Sequence, residues 1–284
     1  MNLNKIPVVF ITDSNFMFAF GVALTSMLVN AKGDTFYEIY LFHSPDVKNS
    51  DLDKVSRTVE KYANASIKFI NMGNKFVSAP KISNRITNTC YYKLCIAKTL
   101  PDIKKVIYID VDTIIRQDLS EMYNIDISDY YLGGVLGLYH YFQARDLIDK
   151  LSIPSIDDYI NAGVMLMNLE KIRMDNMEEK LQSYIGTFAD DQDIMNKFYY
   201  GKIKLIHPKW NLTLVSLRSW VGADAIYPRA VSQEAYNNPA IMHYAGELKP
   251  WVYYNIFLAH EWMYYHIQGP FSDMKFNLTA WVRK

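Results

Sequence analysis

Up to Asp110 the chain switches repeatedly between two hydrophobic periods, and that alternation limits its architecture more than any single motif does. Short apolar runs rich in β-branched and aromatic residues read as strands at 8–12, 37–43, 66–71 and 105–110. Between them the spacing predicts helices over 16–30, 50–63 and 88–100. Strands separated by helices are βαβ units, which call for a mostly parallel, doubly wound sheet covered on both faces. Ligands of such sheets bind outside the carboxyl ends of the strands. Asp13 and the pair Asp110/Asp112 both fall at strand ends and so face one crevice. The remainder is less regular: strands are expected over 131–139, 164–168 and 202–207, and helices over 170–185, 191–200 and 252–267. No repeat, low-complexity tract or flexible linker separates the two parts, so they are expected to fuse around one cleft.

The run Val106-Ile107-Tyr108-Ile109-Asp110-Val111-Asp112 ends a buried strand in two carboxylates. Burying a carboxylate is costly without compensation, and a divalent cation supplies it. Three readings stand: an ordinary acidic strand end, a cation site serving a nucleotide diphosphate, and the nucleophile of a haloacid-dehalogenase-type phosphatase. The phosphatase reading uses Asp190/Asp191 as its second acidic pair, but its nucleophile belongs near the start of the core sheet and three strand candidates precede this one. It also leaves Asn161-Ala162-Gly163 and His243 without a task. His243-Tyr244-Ala245-Gly246 supplies an imidazole; Gly246 permits close backbone approach and Lys249 a compact positive charge for phosphate. Two carboxylates, one imidazole and phosphate oxygens suit octahedral Mn²⁺ or Mg²⁺. Taken singly, Asn161-Ala162-Gly163 reads equally well as a turn, and Asp191-Gln192-Asp193 as the capped start of a helix. No Gly-x-Gly-x-x-Gly occurs, which argues against a dinucleotide oxidoreductase.

Acids and bases balance at 30 each, so no bulk charge draws the chain to nucleic acid, and an anionic ligand must be met locally. Cys90 and Cys95 are too few for a zinc cluster and read as reduced structural thiols. Residues 16–31 imitate a signal-peptide core, but Asp13, Ser14 and Asn15 interrupt it, so a buried helix and a cytoplasmic protein are expected. Triplets at Asn64, Asn211 and Asn277 match the N-glycosylation pattern, which means little without a secretory signal. The 22 tyrosines, 14 phenylalanines and 5 tryptophans are mostly core, although sugar clefts also use aromatic faces. Trp281, Arg283 and Lys284 follow an aromatic-rich stretch. Packing on the core is one reading of that stretch, and peripheral contact with the inner face of a membrane is the other.

In chain order these segments resemble the family 8 glycosyltransferases, particularly the bacterial lipooligosaccharide type. Residues 8–15, the strand ending in Asp-Val-Asp, Asn161-Ala162-Gly163-Val164, Asp191-Gln192-Asp193-Ile194 and residues 243–251 carry the resemblance. It implies a GT-A fold: an α/β, Rossmann-like, mostly parallel central sheet flanked by helices, with a fused acceptor lobe. Residues 1–250 would form the transferase domain, with a nucleotide half to about 115 and an acceptor half beyond, and 251–284 a C-terminal segment. It implies a retaining hexosyltransferase (EC 2.4.1 type) that uses a UDP-hexose donor, galactose or glucose, and a glycan or glycoprotein acceptor. Asp110, Asp112 and His243 would hold the cation. Asp13 and Asn15 would contact uracil and ribose, with Ile11 and Val111 beside the nucleotide, and Gly246 and Lys249 the diphosphate. Asn161, Gly163, Asp191 and Gln192 would line the donor sugar, Gln192 facing the reacting carbon. Lys93 stands where the family has an arginine and keeps its charge without the bidentate fork, and Gly137 stands where the galactosyltransferase relative has an aspartate. A non-catalytic sugar-nucleotide-binding relative is the remaining alternative.

Overall fold

The alternation folds as it demands. β1 (Asn4–Thr12), β2 (Thr35–His43), β3 (Ala65–Asn71) and β4 (Lys105–Ile109) pair in parallel, β1 lying between β2 and β4. In this computed structural model, residues 4–80, 87–138, 144–188, 190–214 and 226–282 are described. After β5 (Thr113–Ile115) the chain adds β6 (Leu132–Leu136), β7 (Ile160–Asn168) and β8 (Ile203–Leu205), completing a seven-stranded sheet in the order β3-β2-β1-β4-β7-β6-β8. β7 runs antiparallel to both β4 and β6, so the sheet changes sense at β4. A smaller sheet sets β10 (Ile241–His243) between β5 and β9 (Leu212–Thr213).

Successive residues of a strand face opposite sides, and here each side has its own core. Ile6, Val8 and Phe10 of β1 and Ile107 and Ile109 of β4 point into one, together with Leu24 of α1 (Met17–Val29) and Val55 and Val59 of α2 (Asn49–Val59). Val9, Ile11, Val106 and Tyr108 point into the other, against Tyr91, Tyr92, Ile194 and Met195. α1 is apolar around most of its circumference, the pattern of a helix buried on every side, and residues 19–28 are all buried. One of its sides meets the large sheet. The other meets Trp251, Trp262 and Phe276, whose rings pack on Phe18. Gly21 matters here, because a Cβ at that position would lie 2.7 Å from the Phe271 ring.

Several expected boundaries are corrected. Residues 88–100 form a 3-10 helix (Asn88–Cys95) and one turn of α-helix (Ile96–Thr99), with residues 91–95 all buried. The helix expected over 170–185 breaks into Leu169–Met174 and Met177–Gln182 at Asn176, whose φ of 50° is one that asparagine tolerates. Asn161-Ala162-Gly163 is no turn before a strand but part of β7 itself. The last helix is only Ala259–His266, entered through Leu258 at φ 56°. The strand expected over 131–139 stops at Leu136, and Tyr139 lies outside the described residues. Cys90 and Cys95 are free thiols. Among the described residues no helix is long and apolar enough to cross a membrane. Trp251, Trp262, Phe276 and Trp281 belong to the packed C-terminal cluster and are not a free aromatic face, whereas Tyr254, Tyr264 and Ile267 are exposed. Arg283 and Lys284 lie outside the described residues.

Candidate functional site

Two sheets converge on the strand-end carboxylates. The Asp110 N–H donates to Gly163 O at 2.7 Å, extending the β4–β7 ladder by one residue and fixing Asp110 at its rim. Three residues on, Thr113 of β5 pairs with His243 of β10, and the Tyr244 N–H closes on Asp112 O at 2.9 Å. The result is one cluster: a ligand atom from each of Asp110, Asp112 and His243 lies within 4.8 Å of the others. His243 Nε2 is 3.3 Å from Asp112 Oδ1 and 3.8 Å from Asp110 Oδ2. Gly163 permits the approach, since a Cβ there would lie 2.1 Å from His243 Cε1 and 2.8 Å from Asp110 Oδ2. Two hard carboxylate oxygens and one imidazole form a donor set that fits a divalent cation of the Mn²⁺ or Mg²⁺ type.

Two lysines balance the acids. Lys249 Nζ donates to Asp112 Oδ2 and to Tyr244 O at 2.7 Å. Burial would raise the Asp112 carboxyl, but the Lys249 ammonium and the His243 imidazole hold it well below the usual carboxylate range. Lys93 is 8% exposed and lies 3.3 Å from Asp110 Oδ1, 3.0 Å from Asp191 Oδ2 and 4.9 Å above the Tyr108 ring. Burial works to strip its proton, yet the two carboxylates outweigh that and lift its pKa well above the ordinary lysine value. Burial and then Asp110 keep the Tyr108 phenol protonated, and its hydroxyl donates to Asp110 Oδ1.

Beside this cluster Asn161 and Gln192 are tied together. Gln192 Oε1 accepts from the Ala162 N–H at 3.0 Å and from Asn161 Nδ2 at 3.3 Å. Its Nε2 donates to the Tyr159 hydroxyl at 3.1 Å, which donates to Asp193 Oδ1 at 2.7 Å. Asp190 caps the Asp191–Phe198 helix by accepting from the Asp193 N–H. At the end of β1, Asp13 is buried and accepts from the Asn15 N–H at 2.9 Å and the Thr87 hydroxyl at 3.0 Å. Ile11 is buried beside it, Val111 is half-buried, and Asn15 and Gly246 are exposed.

The sequence reading singled out the acids, lysines and histidine that meet here, but missed three residues. Tyr108 carried no signal beyond apolar strand character, and Tyr159 fell in no expected element and lies immediately before β7. Asn211 was read only as part of a glycosylation triplet; it is 1% exposed, which removes it as an acceptor, and it accepts a hydrogen bond from His243 Nδ1 at 2.9 Å. Its one available signal was the polar residue between Trp210 and Leu212, both fully buried.

Known proteins place the chain. It is 25% identical over 248 residues to General stress protein A of Bacillus subtilis (strain 168), covering 84% of this chain and 85% of that protein. It is 24% identical over 288 residues to the lipopolysaccharide 1,3-galactosyltransferase of Salmonella typhimurium (strain LT2), covering 96% of this chain and 79% of that one. Among solved structures, galactosyltransferase LgtC in complex with donor and acceptor sugar analogues superposes with a TM-score of 0.75 at 22% identity, over 93% of this chain and 96% of that one. The architecture is therefore GT-A. A sequence model for glycosyl transferase family 8 matches residues 7–255, and the chain belongs to that family.

Proposed function

We propose that the chain is a retaining, cation-dependent hexosyltransferase that moves galactose or glucose from a UDP-sugar to a glycan acceptor of the lipopolysaccharide type. The observation that carries this reading is the Asp110–Asp112–His243 cluster, set at the end of β4 directly beside Asn161 and Gln192. A bound Mn²⁺ or Mg²⁺ would neutralise charge on the departing diphosphate. Asp110, Asp112 and His243 hold that ion, Lys249 is placed to add a compact positive charge, and Asp13 and Asn15 mark the nucleoside end. Asp110 Oδ1 is occupied by Tyr108 and Lys93, while Oδ2 faces the cluster shared with Asp112 and His243, which suits a cation ligand better than a phosphatase nucleophile. Gln192 Oε1 is spent on the Ala162 N–H and on Asn161, so Gln192 orients the sugar pocket and forms no covalent sugar bond. Acceptor attack from the face that the phosphate leaves is the route this arrangement favours.

Incubation with a panel of UDP-hexoses, Mn²⁺ and lipopolysaccharide-core oligosaccharides tests the reading. Release of UDP with sugar transfer is expected, and both are lost with EDTA or in Asp112→Ala. Donor binding without turnover would reduce the chain to a sugar-nucleotide-binding relative, and phosphate release from phosphomonoesters would restore the phosphatase.

A further inference from the structure

Polarity around Asn211 can be read without placing a single hydrogen, because backbone groups anchor it at two points. The Gly163 N–H can only donate, and it meets Asn161 Oδ1 at 3.1 Å, so that atom is an acceptor. The Asn211 atom 2.9 Å from the same oxygen must then be its NH₂ group. Asn161 O, which can only accept, lies 3.3 Å from that NH₂ and requires the same assignment. Asn211 Oδ1 is left facing His243 Nδ1 at 2.9 Å, so the ring carries its proton on Nδ1. Nε2 is the nitrogen turned toward Asp112 and Asp110, so the coordinating position of the ring is the one that faces the carboxylates. With Nδ1–H anchored on Asn211, the neutral form of this ring can only be the one that offers Nε2 to a cation, which is the binding tautomer.

We infer that Asn211 is the positioning residue of this centre: it holds His243 in the cation-binding tautomer and, through Asn161, ties the cation to the donor-sugar pocket. One amide performs both tasks because it offers a donor and an acceptor on a rigid plane. Asn211 sits on the 3-10 turn Pro208–Asn211, immediately before β9, and β9 pairs with β10 at Thr213 and His243. The sheet that carries His243 therefore also carries its partner. The Asn161 Nδ2 contact with Gln192 extends the connection to the helix over Asp191–Phe198. Asn211 is buried from solvent and acts only through its two neighbours.

This inference rests on the cation reading of the cluster, and two separable measurements test it. Long-range ¹H–¹⁵N correlation on ring-labelled histidine reports the tautomer of each of the 6 histidines without metal or donor. The His243 signal is assigned by its disappearance in His243→Gln. At a pH raised until the ring is neutral, the wild-type ring is expected as the Nδ1–H tautomer, and Asn211→Ala is expected to shift it toward Nε2–H. Titration with Mn²⁺ alone, followed by electron paramagnetic resonance, should show binding weakened by about 10- to 100-fold in Asn211→Ala. Asn211→Asp keeps an acceptor for Nδ1–H and loses the donor to Asn161, so it should retain wild-type Mn²⁺ binding while donor turnover falls about tenfold or more. An Nε2–H tautomer in the wild type, or wild-type Mn²⁺ binding by folded Asn211→Ala, overturns the proposal. A wild-type chain that shows the Nδ1–H tautomer but binds no Mn²⁺ would instead count against the cation reading and leave the Asn211–His243 bond standing.

Discussion

At the scale of single residues, the centre depends on one hydrogen atom in place of a methyl group. Gly163→Ala puts a Cβ where His243 Cε1 and Asp110 Oδ2 now sit. Overpacking of this kind costs about 1–3 kcal/mol, and here the strain falls on the proposed cation ligands themselves. The expected outcome is a folded protein, verified by circular dichroism, whose Mn²⁺-dependent UDP affinity in calorimetry drops at least about tenfold. Asp190 tests the opposite side of the site. Burial, with Asp191 and Asp193 close by, pushes its carboxyl up to about 6. The folded chain thus holds this proton more tightly than the unfolded chain does. Its contribution is best at low pH and is lost as pH rises from about 4 through about 6. Asp190→Asn keeps an acceptor for the helix cap, so Tm should rise at pH 8, by the equivalent of up to roughly 3 kcal/mol, and stay unchanged at pH 4. A rise of equal size at both pH values would show that charge is not the cause. Sequence exposed the acids because a buried strand rarely ends in two of them. It hid Asn211 because a polar residue in a short triplet looks the same whether it faces solvent or a histidine.

Among the elements, the 3-10 helix shows where local pattern gives way to tertiary contact. Its apolar spacing reads as an ordinary helix, yet Lys93 is drawn down between Asp110 of the β4 end and Asp191 of the helix opposite. Three elements are thereby joined by one ammonium. Removing a partner from a buried ion pair leaves the remaining charges stranded, at a cost of about 3–5 kcal/mol. Lys93→Met is therefore expected to lower Tm and donor use together, whereas Lys93→Arg keeps the charge and alters kinetics more than stability. Wild-type behaviour of both variants across several UDP-sugars would make Lys93 a bystander. The C-terminal ends of β1 to β4 were legible to within a residue, but β1 and β7 begin four residues earlier than expected, and the two- and three-residue strands β5, β9 and β10 are too short to show a period. The helices over 170–185 and 252–267 were overextended. Their breaks at Asn176 and Leu258 use left-handed backbone, which hydrophobic periodicity does not encode.

For the whole molecule, β4 lies where the parallel strands give way to an antiparallel neighbour. The proposed nucleotide side and sugar side meet at that strand, and a single reaction face should result. An α-linked donor is expected to give an α-linked product, and NMR of freshly formed product reports it. A β-linkage would remove the retaining assignment. The packing of α1 has a different consequence, for synthesis. Phe18 is covered by Trp251, Trp262 and Phe276, and Asn30 reaches the Tyr265 hydroxyl 235 positions away. At a translation rate of about 5–20 residues per second, a nascent chain carries this almost wholly apolar helix uncovered for roughly ten seconds or longer. During that interval α1 is a natural target for ribosome-associated chaperones, and crosslinking to them should cease only once residues 251–276 have left the exit tunnel.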